Sequence, residues 1–374
     1  MDLNLSDDQQ LLRETAAKFI AASCPLTKVR ELAETDTGID PEYLRQTAEL
    51  GWYAALVPEE HGGGSISGDG LSDAAIVAEE RGRMLQPGPF VPANVVGLAL
   101  SEAGTAAQQV EVLPAIVAGE AIATWAVASE NGSYDTGAAL RCRADGTGFV
   151  VSGTAGLVQD AHQADWFLVT AGSDEGLTQF LLPAATSGIR VEPRVGLDLS
   201  RRFALVHFDD VAATDADVVG DVGAAAALVE RQLDVAVVLS VAETVGAMDE
   251  NFTVALDYAK VRTAFGRPIG SFQAVKHQLA DVSMMLEASK GMATGAVRSV
   301  SRSADDASEV ASMTKSFVGD AAIDLTQTCW QVFGGIGYTW EHDHHLYLRR
   351  LTADASLYGQ PSWHRERICT IHGL

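Results

Sequence analysis

Positive charge is scarce in this chain. Its 26 lysines and arginines stand against 50 aspartates and glutamates, a formal net charge of −24. So acidic a surface repels nucleic acid and anionic membranes, and neither is expected as a partner. Cysteine is scarce as well. Cys24, Cys142, Cys329 and Cys369 lie far apart with no C-x-x-C pair. That spacing argues against a zinc site and a disulfide framework, and it fits a reducing compartment. No apolar run approaches the roughly 18 residues of a membrane span. The segment Met1 to Asp8 is acidic and lacks a basic stretch followed by an apolar one, so no secretory leader is expected and the chain reads as cytoplasmic. Internal repeats and low-complexity segments are absent too.

What is present is ordinary for a globular protein: 47% hydrophobic and 20% charged residues over 374 positions. That length predicts two or three domains. Ser6-Asp7-Asp8-Gln9 has the form of a capping box, and Leu11, Leu12, Thr15, Phe19 and Ile20 follow at helical spacing until Pro25. Further helices are predicted over 41–50 and 71–82. From about residue 121 short β-type runs replace them, at 122–127, 148–151, 166–169, 180–182, 190–192 and 203–208, separated by Gly, Asp, Asn and Ser. With no βαβ rhythm, this reads as a mostly antiparallel sheet. Proline is missing from 228–261, where Gly246 is the only glycine, and a long helix is predicted. Helices over 272–304, 306–334 and 357–371 complete an α+β chain. Its expected domains are 1–120 (helical), 121–223 (antiparallel β) and 224–374 (helical bundle).

Two segments stand out within the second helical region. Arg262-Thr263-Ala264-Phe265-Gly266-Arg267-Pro268-Ile269-Gly270-Ser271-Phe272-Gln273 joins two predicted helices, and Gln331-Val332-Phe333-Gly334-Gly335-Ile336-Gly337-Tyr338 ends a third. Taken alone, the first is a turn between helices with solvated arginines. The glycines of the second do not follow a strand, so a Rossmann dinucleotide site is not supported. Taken together, with Ala274 to Asp281 continuing the match, they resemble the acyl-CoA dehydrogenase flavoprotein family, and the helix–sheet–helix order extends that resemblance over nearly the whole chain.

The resemblance implies FAD as cofactor, an acyl-CoA substrate, an electron-transfer flavoprotein or similar acceptor, and assembly as a homotetramer or an α2β2 heterotetramer. It implies that Arg262, Phe265, Gln273, Gln331, Gly334 and Gly335 meet the ADP half of FAD across a subunit interface. A planar guanidinium suits a pyrophosphate, and glycine allows close backbone approach. Trp125, Val127 and Ser133 lie in the loop that lines the flavin ring in the family. Departures cluster at that end. Ala128 and Ser129 stand where Thr and Glu are usual, and Leu157 and Gln159 replace a Trp and a Thr or Ser beside the flavin. The run Glu341 to His345 has no supporting ligands elsewhere, and no metal site is expected.

The family reaction needs a carboxylate base for the α-proton of the thioester. Its usual position falls at Gly359, and an alternative family position on the first helix of the bundle falls at Ala236. Glu243 lies seven residues beyond Ala236, about two turns on and on nearly the same face. Flanked by apolar residues, it reads either as a relocated base or as a buried structural carboxylate paired with an arginine or a helix terminus. The resemblance also leaves open a non-catalytic subunit that lends ADP contacts to FAD in a partner, or an oxidase or monooxygenase on the same fold. The family's bacterial branch implies a bulky or sterol-derived substrate.

Overall fold

The computed structural model describes residues 5–135 and 139–374. Its first helix, α1 (Asp7–Ser23), starts at the expected capping box: Ser6 Oγ accepts from Gln9 N–H, and the Gln9 side chain accepts from Ser6 N–H, both at 3.2 Å. There follow α2 (Leu26–Ala33), α3 (Pro41–Glu49), α4 (Gly70–Arg83), α5 (Phe90–Ala103), α6 (Ala106–Glu111) and α7 (Leu113–Val117). Helix α5 was not predicted. Its residues Phe90 to Leu100 are all buried, so it has no polar face and shows no helical stripe in the sequence.

The sheet domain contains β1 (Ala123–Ala126), β2 (Leu140–Asp145), β3 (Gly148–Gln159), β4 (Trp166–Ser173), β5 (Gly176–Pro183), β6 (Ile189–Arg194), β7 (Phe203–Ala213) and β8 (Val218–Val219). The strand order is β6-β7-β3-β2-β4-β5-β8, with β1 also on β4. Pairing is antiparallel throughout except for β1 and β2, which run parallel to β4. The apolar runs of β4 and β5 follow from burial on both faces. Phe167, Val169, Phe180 and Leu182 fill the sheet's own core, while Leu168 and Leu181 pack against the helices.

The second helical region holds α8 (Ala226–Val261), α9 (Gln273–Ser301), α10 (Ala307–Phe333), α11 (His344–Asp354) and α12 (Pro361–Ile371), with a short hairpin of β9 (Thr263–Ala264) and β10 (Arg267–Pro268) after α8. The last helix begins later than the sequence suggests. Tyr358 and Gly359 have φ of 58° and 106°, which no right-handed helix accepts, and Pro361 starts the helix at its first turn. Helix α8 is the spine, about 54 Å long at 36 residues. It crosses α4 at two facing glycines. A Cβ on Gly82 would sit 1.9 Å from Glu243 O, and one on Gly246 would sit 1.9 Å from Glu79 O. Only hydrogen at both positions allows that approach.

Candidate functional site

The two distant motifs meet at one end of the helical bundle. Ala259, Leu279 and Val332 form a small buried cluster with Ile269 and Val275 against it, which draws together the end of α8, the start of α9 and the end of α10. The Tyr258 and Phe333 rings meet across the same junction, tilted by 54° with centroids 5.3 Å apart. Between β9 and β10 the chain reverses through Phe265 and Gly266, at φ of 50° and 80°, the left-handed pair that a tight hairpin requires. That turn leaves Phe265 97% exposed, with its ring edge-on to Phe272. Arg262, Gln273 and Gln331 are also exposed, and a side chain at Gly334 or Gly335 would meet open space. Ser271 Oγ and Trp330 Nε1 are buried without a hydrogen-bond partner among the described residues. Outward cations, an unsupported aromatic face, bare glycine backbone and orphaned donors together fit a phosphate-bearing ligand such as the ADP half of FAD.

The sheet end of the candidate site has a different character. Trp125 is buried with its indole N–H donating to Thr170 Oγ1 at 3.0 Å, and Val127 is buried beside it. Ser133 is turned inward on its own loop: its N–H donates to Ser129 Oγ at 3.1 Å and its hydroxyl to Asp135 Oδ2 at 2.8 Å. Asp135 Oδ1 accepts from the Trp363 indole of α12 at 3.0 Å. Next to it, Tyr134 packs on Tyr358 with ring centroids 5.8 Å apart, both buried. Gln159 is buried too, donating to Gly88 O at 2.9 Å, while its carbonyl accepts from Thr124 at 2.7 Å. A Cβ at Gly359 would lie 2.7 Å from the Trp363 ring and 2.8 Å from His364 Nε2, so a glutamate there has no room. Trp125, Val127, Tyr134 and Gln159 are thus engaged in protein contacts at this end, while Leu157 is exposed and Ser133 half-buried.

Asp160, beside Gln159, carries a testable pH signature. Burial pushes its carboxyl up from 3.8 to about 6, partly offset by the Gln159 amide and by Arg201 and Arg202. Below about pH 4 the folded and unfolded chains are both protonated here. Between about 4 and 6 only the folded chain keeps the proton, so stability falls as pH rises through that window and the cost persists above it. Asp160→Asn removes the titration and tolerates the residue's φ of 52°. The variant is expected to melt higher than the parent at pH 7.5, with the difference gone by pH 4, in thermal scans across pH.

Glu243 sits in the third part of the region, beneath the crossing of α4 and α8. Its carboxylate is 1% exposed and is held by two buried guanidiniums: Arg81 Nε at 3.3 Å and Arg201 Nη2 on the other oxygen. Arg201 also pairs with Asp354, whose backbone carbonyl accepts from Lys315 Nζ at 2.5 Å. Burial lowers Lys315 to about 8. Alongside, Arg350 pairs with Asp198 at 2.8 Å and donates to Gln86 O and Ser200 Oγ. Arg81 further lies 4.7 Å over the Phe90 ring. None of these partners was named from sequence. They come from α4, the β6–β7 connection, α10 and α11, and the sole hint was a carboxylate embedded in an apolar run.

The run Glu341 to His345 turns to separate partners. Asp343 pairs with Arg30 at 2.8 Å, His345 stacks on Trp340, and His344 is buried against Asn251. No helix among the described residues is long and apolar enough to cross a membrane.

Comparison with known proteins bears on the family and the fold. The acyl-CoA dehydrogenase N-terminal domain model matches residues 6–120 and the C-terminal domain model residues 226–370. The acyl-CoA dehydrogenase IpdE2 of Mycolicibacterium smegmatis is 30% identical over 358 residues, covering 96% of each chain. Among solved structures, a chain of the ChsE4-ChsE5 complex from Mycobacterium tuberculosis superposes with a TM-score of 0.91 at 24% identity, covering 100% of this chain and 99% of that one. A chain of the Tcur3481-Tcur3483 steroid ACAD gives 0.88 at 27% identity, covering 98% of each. With its helix–sheet–helix architecture and matched sequence at both ends, this chain belongs to the acyl-CoA dehydrogenase family.

Proposed function

We propose that this chain serves FAD-dependent α,β-dehydrogenation of an acyl-CoA thioester as one subunit of an α2β2 assembly, lending its ADP-binding end to FAD whose ring is held by a partner subunit. The contrast between the two ends of the candidate site carries this reading. Arg262, Phe265, Gln273, Gln331, Gly334 and Gly335 lie open at one end of the bundle. Trp125, Val127, Tyr134 and Gln159 are buried in protein contacts at the other. Bound FAD supplies the hydride acceptor. In this chain Arg262 binds phosphate, Gln273 and Gln331 hydrogen-bond the nucleotide, and the glycines allow it close. Electrons leave to an electron-transfer flavoprotein or similar acceptor. The steroid ACAD likeness at 27% identity supports a bulky, sterol-derived acyl group.

A second reading keeps catalysis in this chain, with Glu243 as the base in a homotetramer. Its support is the position of Glu243 on α8, about two turns from Ala236. Its difficulty is the clamp of Arg81 and Arg201, which leaves no free carboxylate oxygen.

Flavin content separates the two. The purified chain is expected to be colourless alone and to hold FAD only when co-produced with a second family member. A yellow homotetramer that bleaches on anaerobic addition of acyl-CoA overturns the subunit reading. In the assembly, Arg262→Ala removes a charge-assisted contact of about 1.5–3 kcal/mol. FAD retention, followed by flavin fluorescence on dilution, is then expected to weaken at least about ten-fold.

A further inference from the structure

A cavity of about 190 Å³ lies between α8, α11 and the loop that joins α10 to α11, and none of the residues assigned to the nucleotide lines it. Glu250 and Val254, four apart on α8, share one face of that helix, as do His344 and Tyr347, three apart on α11. Phe333 at the end of α10 and His342 in the loop add aromatic surface, their ring centroids 4.4 Å apart. The volume is below that of drug-sized sites and suits one small group.

The polar groups around it are acceptors that lack donors. Glu250 is half-buried, and its carboxylate makes no hydrogen bond or ion pair among the described residues. Burial pushes that carboxyl above its ordinary value, and Arg83, the cation acting on it, is already paired with Glu79, Glu80 and Asp249. Asp343 is matched by Arg30, but Glu341 at the exposed rim has no such partner among the described residues. His344 adds a buried acceptor. Asn251 Nδ2 donates to Thr326 Oγ1 at 3.1 Å, which sets Asn251 Oδ1 2.9 Å from His344 Nδ1, so Nδ1 carries the proton. Burial lowers His344 to about 4, and at neutral pH the ring holds that proton alone. Its Nε2 is then a bare acceptor, without a partner among the described residues, in a side chain 2% exposed. Leaving such a group unpaired is costly. No three His, Cys, Asp or Glu among the described residues are grouped to hold a metal ion, which leaves an N–H cation as the group that answers both acceptors.

We propose that this cavity binds a guanidinium on a short alkyl stem, with one N–H to the Glu250 carboxylate, another to His344 Nε2, and its plane against Phe333 and His342. A guanidinium is more weakly hydrated than an ammonium, carries its donors in a fixed planar fork and stacks on aromatic faces. An uncharged urea of the same shape lacks the ion pair.

Calorimetric titration of the full chain with n-propylguanidinium, n-propylurea and n-butylammonium tests this. Propylguanidinium is expected to bind one to one and at least about ten-fold more tightly than either control. Glu250→Gln, which breaks no ion pair of the described residues, is expected to erase the preference over propylurea while leaving propylurea binding unchanged. Val254→Trp, at an exposed position on the cavity wall, fills the space and is expected to abolish binding of all three, with circular dichroism confirming the fold. Equal affinity for propylguanidinium and either control overturns the proposal. So does a propylguanidinium affinity unchanged in Glu250→Gln, or no detectable binding. N-acetylarginine methylamide then identifies the source of the group: binding at least as tight as propylguanidinium supports an arginine of another chain, and weaker binding a free alkylguanidine. Because neither variant alters a residue assigned to FAD, flavin content in the α2β2 assembly reports on the proposed function independently.

Discussion

Glu243→Ala is expected to destabilise the folded chain by about 3–5 kcal/mol, the cost of removing one member of a buried ion-pair network. Two guanidiniums depend on this carboxylate, and both side chains are at most 3% exposed. Without it, Arg201 keeps Asp354, but among the described residues Arg81 keeps only the Pro87 carbonyl and the rings of Phe90 and Trp52. Both guanidiniums are buried in the parent, so neither is solvated by bulk water there. Against a total stability of about 5–15 kcal/mol for a typical domain, this is a large share, and urea denaturation measures it directly. Glu243→Gln retains the volume and one acceptor oxygen and is expected to lose less. The same variant speaks to catalysis. If the assembled enzyme with Glu243→Gln still reduces flavin on addition of acyl-CoA, Glu243 is structural. Complete loss of reduction in a folded, flavin-loaded assembly restores it as the base.

Gly246→Ala is expected to cost about 3 kcal/mol or more, although alanine is the better helix former. The added methyl would enter the carbonyl of Glu79 at 1.9 Å, and that atom belongs to the backbone of α4, which cannot rotate away. The helices must separate, which stretches the Arg81–Glu243 contact beside the crossing. Gly82→Ala meets the reciprocal carbonyl, Glu243 O, and is expected to behave alike. Gly291→Ala is the control. It lies exposed on α9 with nothing within 4 Å of a Cβ, and is expected to gain about 0.5–1 kcal/mol. Thermal melts of the three variants give the comparison. Equal effects at positions 246 and 291 would refute the close-crossing argument.

Much of the architecture was legible along the chain because its causes are local. The Ser6–Gln9 capping box acts over three residues, and the absence of proline from 228–261 permits an uninterrupted α8. The glycine and β-branched punctuation between 121 and 223 marks strands directly. Helix α5 escaped because it is buried all round, and β2 escaped because only Leu140 and Cys142 face inward on a strand otherwise polar. Helix α11 was not predicted, because residues 344–354 fell between the expected helices over 306–334 and 357–371. The departures Leu157, Gln159 and Gly359 were visible as residues, but not what they do. Only the packing shows Gln159 bonded to the Gly88 carbonyl, and Trp363 and His364 closing the space beside Gly359.

By itself the sequence determined the order of helices and strands, the family, and the residues that could face a nucleotide. Those follow from spacing and residue type within short windows. The tertiary structure decided what stands opposite what. It gathered Arg262, Gln273 and Gln331 on one open end, and set Glu243 between Arg81 and Arg201, partners 162 and 42 residues away in the chain. Such meetings depend on how α8 crosses α4 and where the β6–β7 connection lies, and no local pattern encodes them. A carboxylate's chemistry is set by the charges around it, and here those charges arrive only with the fold.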